Sequence, residues 1–192
     1  MRTGVRGWVR TALWVGALQL LAPGATTLAQ TQPAGHDGQH DFDFDMGSWK
    51  IHLSRLEHPP AGSKKWIQFD GTLHAHPIWD GLGNIEEVEL NSPGGLIKGL
   101  TVRLYNLQTR QWTIYWANSK NGSIDPAPQV GQFKNGHGEF YGQDTYNGKP
   151  IYVRYLWTRT DTDTPHFEQS YSEDGGKTWE VNWVTDQRRV GP

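Results

Sequence analysis

Gln129-Val-Gly-Gln-Phe-Lys-Asn-Gly-His-Gly-Glu-Phe-Tyr-Gly-Gln-Asp-Thr-Tyr-Asn-Gly-Lys-Pro-Ile-Tyr-Val-Arg-Tyr-Leu-Trp-Thr158 is the stretch on which the fold turns. It begins three runs in which apolar and polar residues alternate, Gln129 to Lys134, His137 to Thr145 and Ile151 to Thr160, the last running two residues past the quoted stretch, and this period of two is the mark of strands. Between them stand Asn135-Gly136 and Asn147-Gly148, dipeptides that accept positive φ at both positions and so close tight hairpins. Two consecutive hairpins with no intervening helix describe an antiparallel meander.

The same grammar extends in both directions. Further strands are expected at Gly47 to Leu56, Trp66 to Ile78, Asn84 to Leu90, Ile97 to Asn106, Gln111 to Ala117, His166 to Ser172 and Thr178 to Asp186. Pro93-Gly94-Gly95 and Asp174-Gly175-Gly176 supply further turns, and no segment sustains the i, i+3, i+4 spacing of a helix. Asp41 to Met46 reads as a single helical turn that plugs an end. The fold class is therefore all-β, with about ten antiparallel strands. An up-and-down barrel removes their exposed edges most economically, and a two-sheet sandwich is the alternative.

At 192 residues the chain has room for one such domain, expected over residues 42–187. Before it, Met1 to Arg10 carries Arg2, Arg6 and Arg10 and no acid, Thr11 to Ala22 is an apolar run, and Thr27-Leu28-Ala29 has the small residues a signal peptidase reads. Residues 1–29 are read as a secretory signal peptide and residues 30–41, rich in Gly, Pro, Gln and His, as a flexible tether. The apolar run is shorter than the ~20 residues of a spanning helix, so the expected mature form is exported, periplasmic or secreted, with no membrane anchor. The leader takes three of the eighteen basic residues and none of the twenty acids. That leaves an acidic remainder, a poor partner for nucleic acid. With no cysteine in the chain, disulfides, thiolate metal sites and thiol catalysis are all excluded.

Ten tryptophans, seven tyrosines and six phenylalanines stand against two methionines, so aromatic bulk builds the core, the binding surface or both. Gln111 to Ala117, Ile151 to Thr158 and Thr178 to Val184 carry apolar or aromatic residues on both faces, as expected of walls around a mostly apolar ligand pocket with a few polar groups. The candidate ligand-binding residues are Trp49, Arg103, Tyr115, Trp116, Arg154, Asn182 and Trp183. Arg103 and Arg154, in strand interiors, are either surface charges with their stems on the sheet or anchors for a carboxylate or phosphate.

Three candidate catalytic residues come from two other constellations. His74, His76, Asp80, Asn84, Glu86, Glu87 and Glu89 crowd two adjacent strands; His74 and Glu87 are the candidate pair there, and the same cluster read as a solvated face explains itself without metal. Glu168, near Phe167 and Trp179, is a candidate acid or base whose alternative is a hydrogen-bonded staple between strands. No metal and no cofactor is expected. Ser172-Glu173-Asp174-Gly175-Gly176-Lys177-Thr178-Trp179 resembles an Asp-box, the repeated hairpin of sialidase propellers, but occurs once and reads as a structural turn.

Phe42-Asp43-Phe44-Asp45-Met46-Gly47-Ser48-Trp49, with Phe69-Asp70-Gly71-Thr72, Gly81-Leu82-Gly83-Asn84, Tyr115-Trp116, Phe140-Tyr141-Gly142 and Ser172 to Trp179 with Asn182-Trp183, resembles a bacterial family of lipocalin-like proteins catalogued as a domain of unknown function. The resemblance implies a calycin-type barrel, with Gly47-Ser48-Trp49 similar to the Gly-x-Trp that opens lipocalin and nitrobindin barrels and whose tryptophan closes one end of the lumen. It implies no settled reaction. A haem-binding nitrobindin would need a histidine near the C-terminus, and here the last one is His166. The expectation is thus an exported barrel that binds a small, partly aromatic, anionic ligand. The alternatives are an enzyme on the same barrel, acting as a lyase, isomerase or hydrolase through a cavity carboxylate and a histidine, and a filled structural module.

Overall fold

The computed structural model describes residues 37–60, 62–92 and 95–191. The expected signal peptide and most of the tether lie outside the described residues. A short 3₁₀ turn, Asp43–Asp45, leads into eleven strands: β1 Gly47–Leu56, β2 Trp66–Ile78, β3 Gly83–Ser92, β4 Gly95–Asn106, β5 Gln111–Asn118, β6 Ser123–Ile124, β7 Gln129–Lys134, β8 His137–Tyr146, β9 Lys149–Thr158, β10 His166–Ser172 and β11 Glu180–Gly191. Each long strand pairs antiparallel with its neighbours in sequence, the two-residue β6 hangs on β5, and β1 pairs with β11 to close the ring. It is a ten-strand up-and-down barrel with a short extra bridge, not a sandwich.

The turns act as their residues require. Asn135 and Gly136 take φ of 53° and 77°, and Asn147 and Gly148 take 50° and 78°, the double positive φ of a two-residue hairpin whose twist matches the strands it joins. Gly131 faces β8 so closely that a Cβ there would lie 1.9 Å from the Glu139 carbonyl oxygen. A side chain at that position would force the two strands apart, so glycine is required for the pairing.

Strand direction fixes two different ends. The Asp43–Asp45 turn sits where β1 and β3 begin and β4 ends, and there the lumen is packed solid with rings. Phe42 lies 5.0 Å from Phe133, 5.1 Å from Trp112, 5.4 Å from Trp157 and 5.7 Å from Phe140, mostly edge to face. Trp49 is wholly buried, gives its indole N–H to the Asp45 carbonyl at 2.8 Å and carries the Arg189 guanidinium 3.9 Å from its ring centre. The chain is held at Gly38, before the expected start at Phe42, because the buried Trp112 indole N–H donates to the Gly38 carbonyl at 2.8 Å and a buried donor needs a partner. We call this the closed end.

At the other end β1 finishes at Leu56, β8 at Tyr146, and β10 turns into β11 through the single Asp-box hairpin. Asp174 accepts from the Lys177 and Thr178 backbone N–H groups at 3.0 and 2.9 Å and from the Thr178 hydroxyl at 2.7 Å. Those bonds, led by the Thr178 backbone, hold its carboxyl well below the usual range, and Trp179 closes onto the Gly176 carbonyl at 3.1 Å. The motif is a self-contained turn, as its residues imply.

Candidate functional site

Between the two ends the barrel encloses a cavity of about 400 Å³, within the range of small-molecule sites. Its walls are the inward positions of the strands. Ile51 and Leu53 come from β1, Val88 from β3, Ile114 and Trp116 from β5, Val153, Tyr155 and Trp157 from β9, and Phe167 from β10. The Trp116 indole reaches over Gly99 on β4, diagonal to its pairing partner Thr101; a Cβ at Gly99 would meet the indole at 2.0 Å.

Polar groups enter at defined depths. Toward the closed end, Arg103 on β4 is 2% exposed and is gripped by two carboxylates. One Nη donates to Asp45 at 2.7 Å and to the Asn84 side-chain oxygen at 3.0 Å, and the other donates to Glu86. Thr101 donates to the second Glu86 oxygen at 2.8 Å, and the guanidinium lies 4.6 Å from the centre of the Phe42 ring. Asp45 and Glu86 are themselves buried, at 0% and 6% exposure. Two buried carboxyls facing one guanidinium cannot both stay charged cheaply. Burial, helped by the neighbouring Glu86 and opposed by Arg103, pushes Asp45 up to about 7. Burial also acts on Glu86, yet the Arg103 charge and the hydrogen bonds from Asp45, Thr101 and Arg103 outweigh it and hold Glu86 below its ordinary value. At neutral pH the floor thus contains an ion pair and a carboxyl poised to gain or lose a proton.

Toward the open end the lining is less buried. Arg55, Asp125 and Asp144 border the mouth with Tyr146 and Tyr171. Burial and the nearby Asp144 raise Asp125, and Glu57, also at the mouth, is engaged by Lys65 at 3.0 Å. A bulge in β11, where Gln169 pairs with Trp183 but Ser170 pairs with Val181, leaves Asn182 as an extra residue. Asn182 and Trp183 therefore both reach the lumen instead of alternating. Gln169 donates to the Asn182 side-chain oxygen at 2.8 Å, and the Trp183 indole to Thr185 at 3.0 Å.

Of the residues singled out from sequence, the structure brings Arg103, Trp116, Asn182 and Trp183 to the cavity wall. Trp49 lies beneath the floor. Tyr115 is on the other side of β5 from Ile114 and Trp116, and Arg154 points away from Val153 and Tyr155, its guanidinium 4.8 Å from the Trp179 ring centre and 3.4 Å from the Ser170 hydroxyl. His74 and Glu87 face each other across β2 and β3 on the solvent side, where His74 meets the Ser48 hydroxyl at 3.0 Å. Glu168 is also outside the lining, bound to His166 Nε2 at 3.0 Å, while His166 Nδ1 meets Asp186 at 2.8 Å. Among the described residues no group of three or more potential ligands is placed to hold a metal.

Sequence reasoning passed over Asp45, Glu86, Gln187, Tyr155 and Trp157. Parity contained the signal for Glu86: Asn84 and Glu86 alternate in phase with Val88 and Leu90, the core-facing positions of β3. The histidines and glutamates around them, whose exposed phase dominates the segment, masked it. Asp45 offered no such signal, because a three-residue turn has no periodicity.

No family model and no curated protein matches this chain. Among solved structures, the S-type phycobiliprotein lyase CPES from Guillardia theta is similar, with a TM-score of 0.50 and 14% sequence identity over 78% of this chain and 90% of that one. At that identity the likeness concerns the fold alone. It supports a lipocalin-like barrel, in keeping with the calycin-type architecture that the Gly47-Ser48-Trp49 opening implies.

Proposed function

We propose that this protein is an exported barrel that binds a small, partly aromatic molecule in its lumen. The observation that carries the reading is the cavity itself: about 400 Å³, walled by seven aromatic side chains and several aliphatic ones, open at one end and closed at the other by packed rings. A filled structural module has no need of such a space, since natural interiors pack to crystal density with few voids larger than a water. The flat faces of Trp116, Tyr155, Trp157 and Trp183 suit an aromatic guest, and Arg103 with its two carboxylates gives the inner end a polarity that orients it. That a phycobiliprotein lyase uses a similar barrel is compatible with a ligand-holding role.

The test is to fill the space. Val153 is 3% exposed and faces the lumen, so Val153→Trp adds its indole where no atoms stand. The neutral probe N-phenyl-1-naphthylamine is expected to bind the parent with enhanced emission and quenching of the cavity tryptophans, and to bind the filled variant about tenfold or more weakly, the loss of roughly 1.4 kcal/mol of contact. Equal affinities for the two would place the probe elsewhere and remove the reading. Export rests on the Met1 to Ala29 leader; N-terminal sequencing of exported protein is expected to start at Gln30, and a chain that still begins at Met1 would remove that part.

A further inference from the structure

The charges that line the cavity are not those of an anion receptor. At the mouth three acids, Glu57, Asp125 and Asp144, stand with Arg55; Lys65 engages Glu57, and no described lysine, arginine or histidine makes an ion pair with Asp125 or Asp144. At the floor Glu86 and, behind the lining, Asp45 stand against Arg103, whose terminal nitrogens they already occupy. At each level, with Lys65 counted at the mouth, carboxyls outnumber basic groups by one. One buried acceptor there has no donor among the described residues: Gln187 Oε1, on a side chain 5% exposed that lines the cavity beside the Asp45 carboxyl. A group that brings positive charge and N–H donors meets both needs, and the ring faces of Tyr155 and Trp157 on the way in attract cations through their quadrupoles.

We propose, building on the ligand-binding reading above, that the cavity takes an aromatic cation, an amine-headed guest whose ammonium group is drawn in past Asp125 and Asp144 and settles at the floor against Glu86 and Gln187. The ammonium then replaces the proton that Asp45 otherwise keeps. The groups facing Asp45 are Arg103 and Glu86, in direct contact with it, and Gln187 on β11, while Arg189, the other cation at this end, spends its terminal nitrogens on the Phe44 and Met46 carbonyls at 2.6 and 2.7 Å. Among the described residues no other cation there pairs with the second carboxyl. Trp157 Nε1 and Asn182 Nδ2, without acceptors among the described residues, suit a hydroxyl or carbonyl on the same guest.

Three probes on one aromatic frame separate this proposal from the reading beneath it: 1-naphthylmethylamine, 1-naphthylacetate and 1-naphthalenemethanol, titrated against tryptophan emission. The amine is expected to bind about tenfold or more tighter than the acetate, with the alcohol between them, and its lead is expected to shrink as salt is added. Its affinity should rise from about pH 6 to about pH 8 with release of a proton, detectable as a buffer-dependent binding heat. In Asp45→Asn, where an isosteric amide replaces the protonated acid, that pH dependence should disappear. Asp125→Asn with Asp144→Asn, both at the rim and outside the packed core, should weaken the amine several-fold and leave the alcohol unchanged. If the acetate binds as well as the amine, the cation proposal is overturned while the ligand-binding reading stands. If none of the three quenches the cavity tryptophans, both are overturned.

Discussion

The two ends of this barrel are made from the same strands and solve opposite problems. At the closed end Phe42, Trp112, Phe133, Phe140 and Trp157 interlock around a guanidinium with two carboxyls and leave no room for solvent. At the open end the same strands carry Trp116, Tyr171 and Trp183 about a space, with acids at the rim. Aromatic residues stabilise the first by contact and furnish the second as a surface. The difference is set by what enters from outside the sheet. The Phe42 to Met46 segment pushes two phenylalanines and an aspartate into one end, whereas the Asp-box hairpin at the other folds onto itself and inserts nothing. A barrel of this kind is packed at one end and hollow toward the other.

The largest way to break the closed end is through its charge. Arg103→Met keeps most of the stem and its contact with Phe42 but leaves Asp45 and Glu86 buried without a cation, which is expected to cost on the order of 3–5 kcal/mol at neutral pH. The loss should shrink in mildly acid solution, where both carboxyls can take protons. Chemical denaturation at two pH values checks it; a loss below about 1 kcal/mol at neutral pH, the scale of surface changes, would mean the triad does not hold that end.

Next comes the pH dependence of the parent. Asp45 is pushed up to about 7 in the folded protein from an ordinary value of 3.8, so between those values the native state holds a proton that the unfolded chain has released. Stability must then fall as pH rises through this window, by up to about 1.4 kcal/mol per unit, and level off above about 7. Glu86, shifted the other way, contributes stability that is lost only at pH below its ordinary range, so the two do not cancel near neutrality. The slope should be absent in Asp45→Asn. A parent whose stability climbs from about pH 5 to about pH 7 would show that Asp45 is ionised in the fold.

A smaller change sharpens the contrast at the open end. Trp116 is only partly buried and covers Gly99 beside the cavity. Trp116→Leu is expected to cost about 1 kcal/mol or less, well short of the ~3–5 kcal/mol for removing a buried ring such as Phe140 by Phe140→Ala, yet to weaken aromatic probes several-fold. Equal stability losses from the two would erase the distinction between a packed end and an open one.

How much of this was legible in the chain depends on periodicity. Strand limits at Gly47–Leu56, Trp66–Ile78, Gln129–Lys134 and His166–Ser172 follow directly from alternation and turn residues, because a strand with one face inward must repeat every two residues. The start of β11 lies two residues later than the pattern implied and its end reaches Gly191, since the Asp-box consumes Thr178 and Trp179 while β1 offers pairing as far as Ser48. The site was harder. Arg103 could be flagged but not its partners, for Asp45 lies fifty-eight positions away in a turn without a pattern. The bulge that turns Asn182 and Trp183 both inward breaks the very alternation used to sort faces.

The smallest expected effect concerns Arg154, on the same strand as the cavity-lining Val153 and Tyr155. Its guanidinium lies over Trp179 and reaches the Ser170 hydroxyl at 3.4 Å, a long bond at a partly exposed site. Such a cation–ring contact stabilises by about 0.5–1 kcal/mol near solvent. Arg154→Met keeps the apolar stem against the indole, so the stability change should stay within about 0.5 kcal/mol, and the order of the three naphthyl probes should not move, because the side chain and the lumen lie on opposite faces of β9. A shift in the amine-to-acetate ratio on this substitution alone would mean that charge on the outer face governs entry. The preference would then belong to the whole molecule's field rather than to the acids at the mouth and floor, and the contrast between the two ends would lose its functional half.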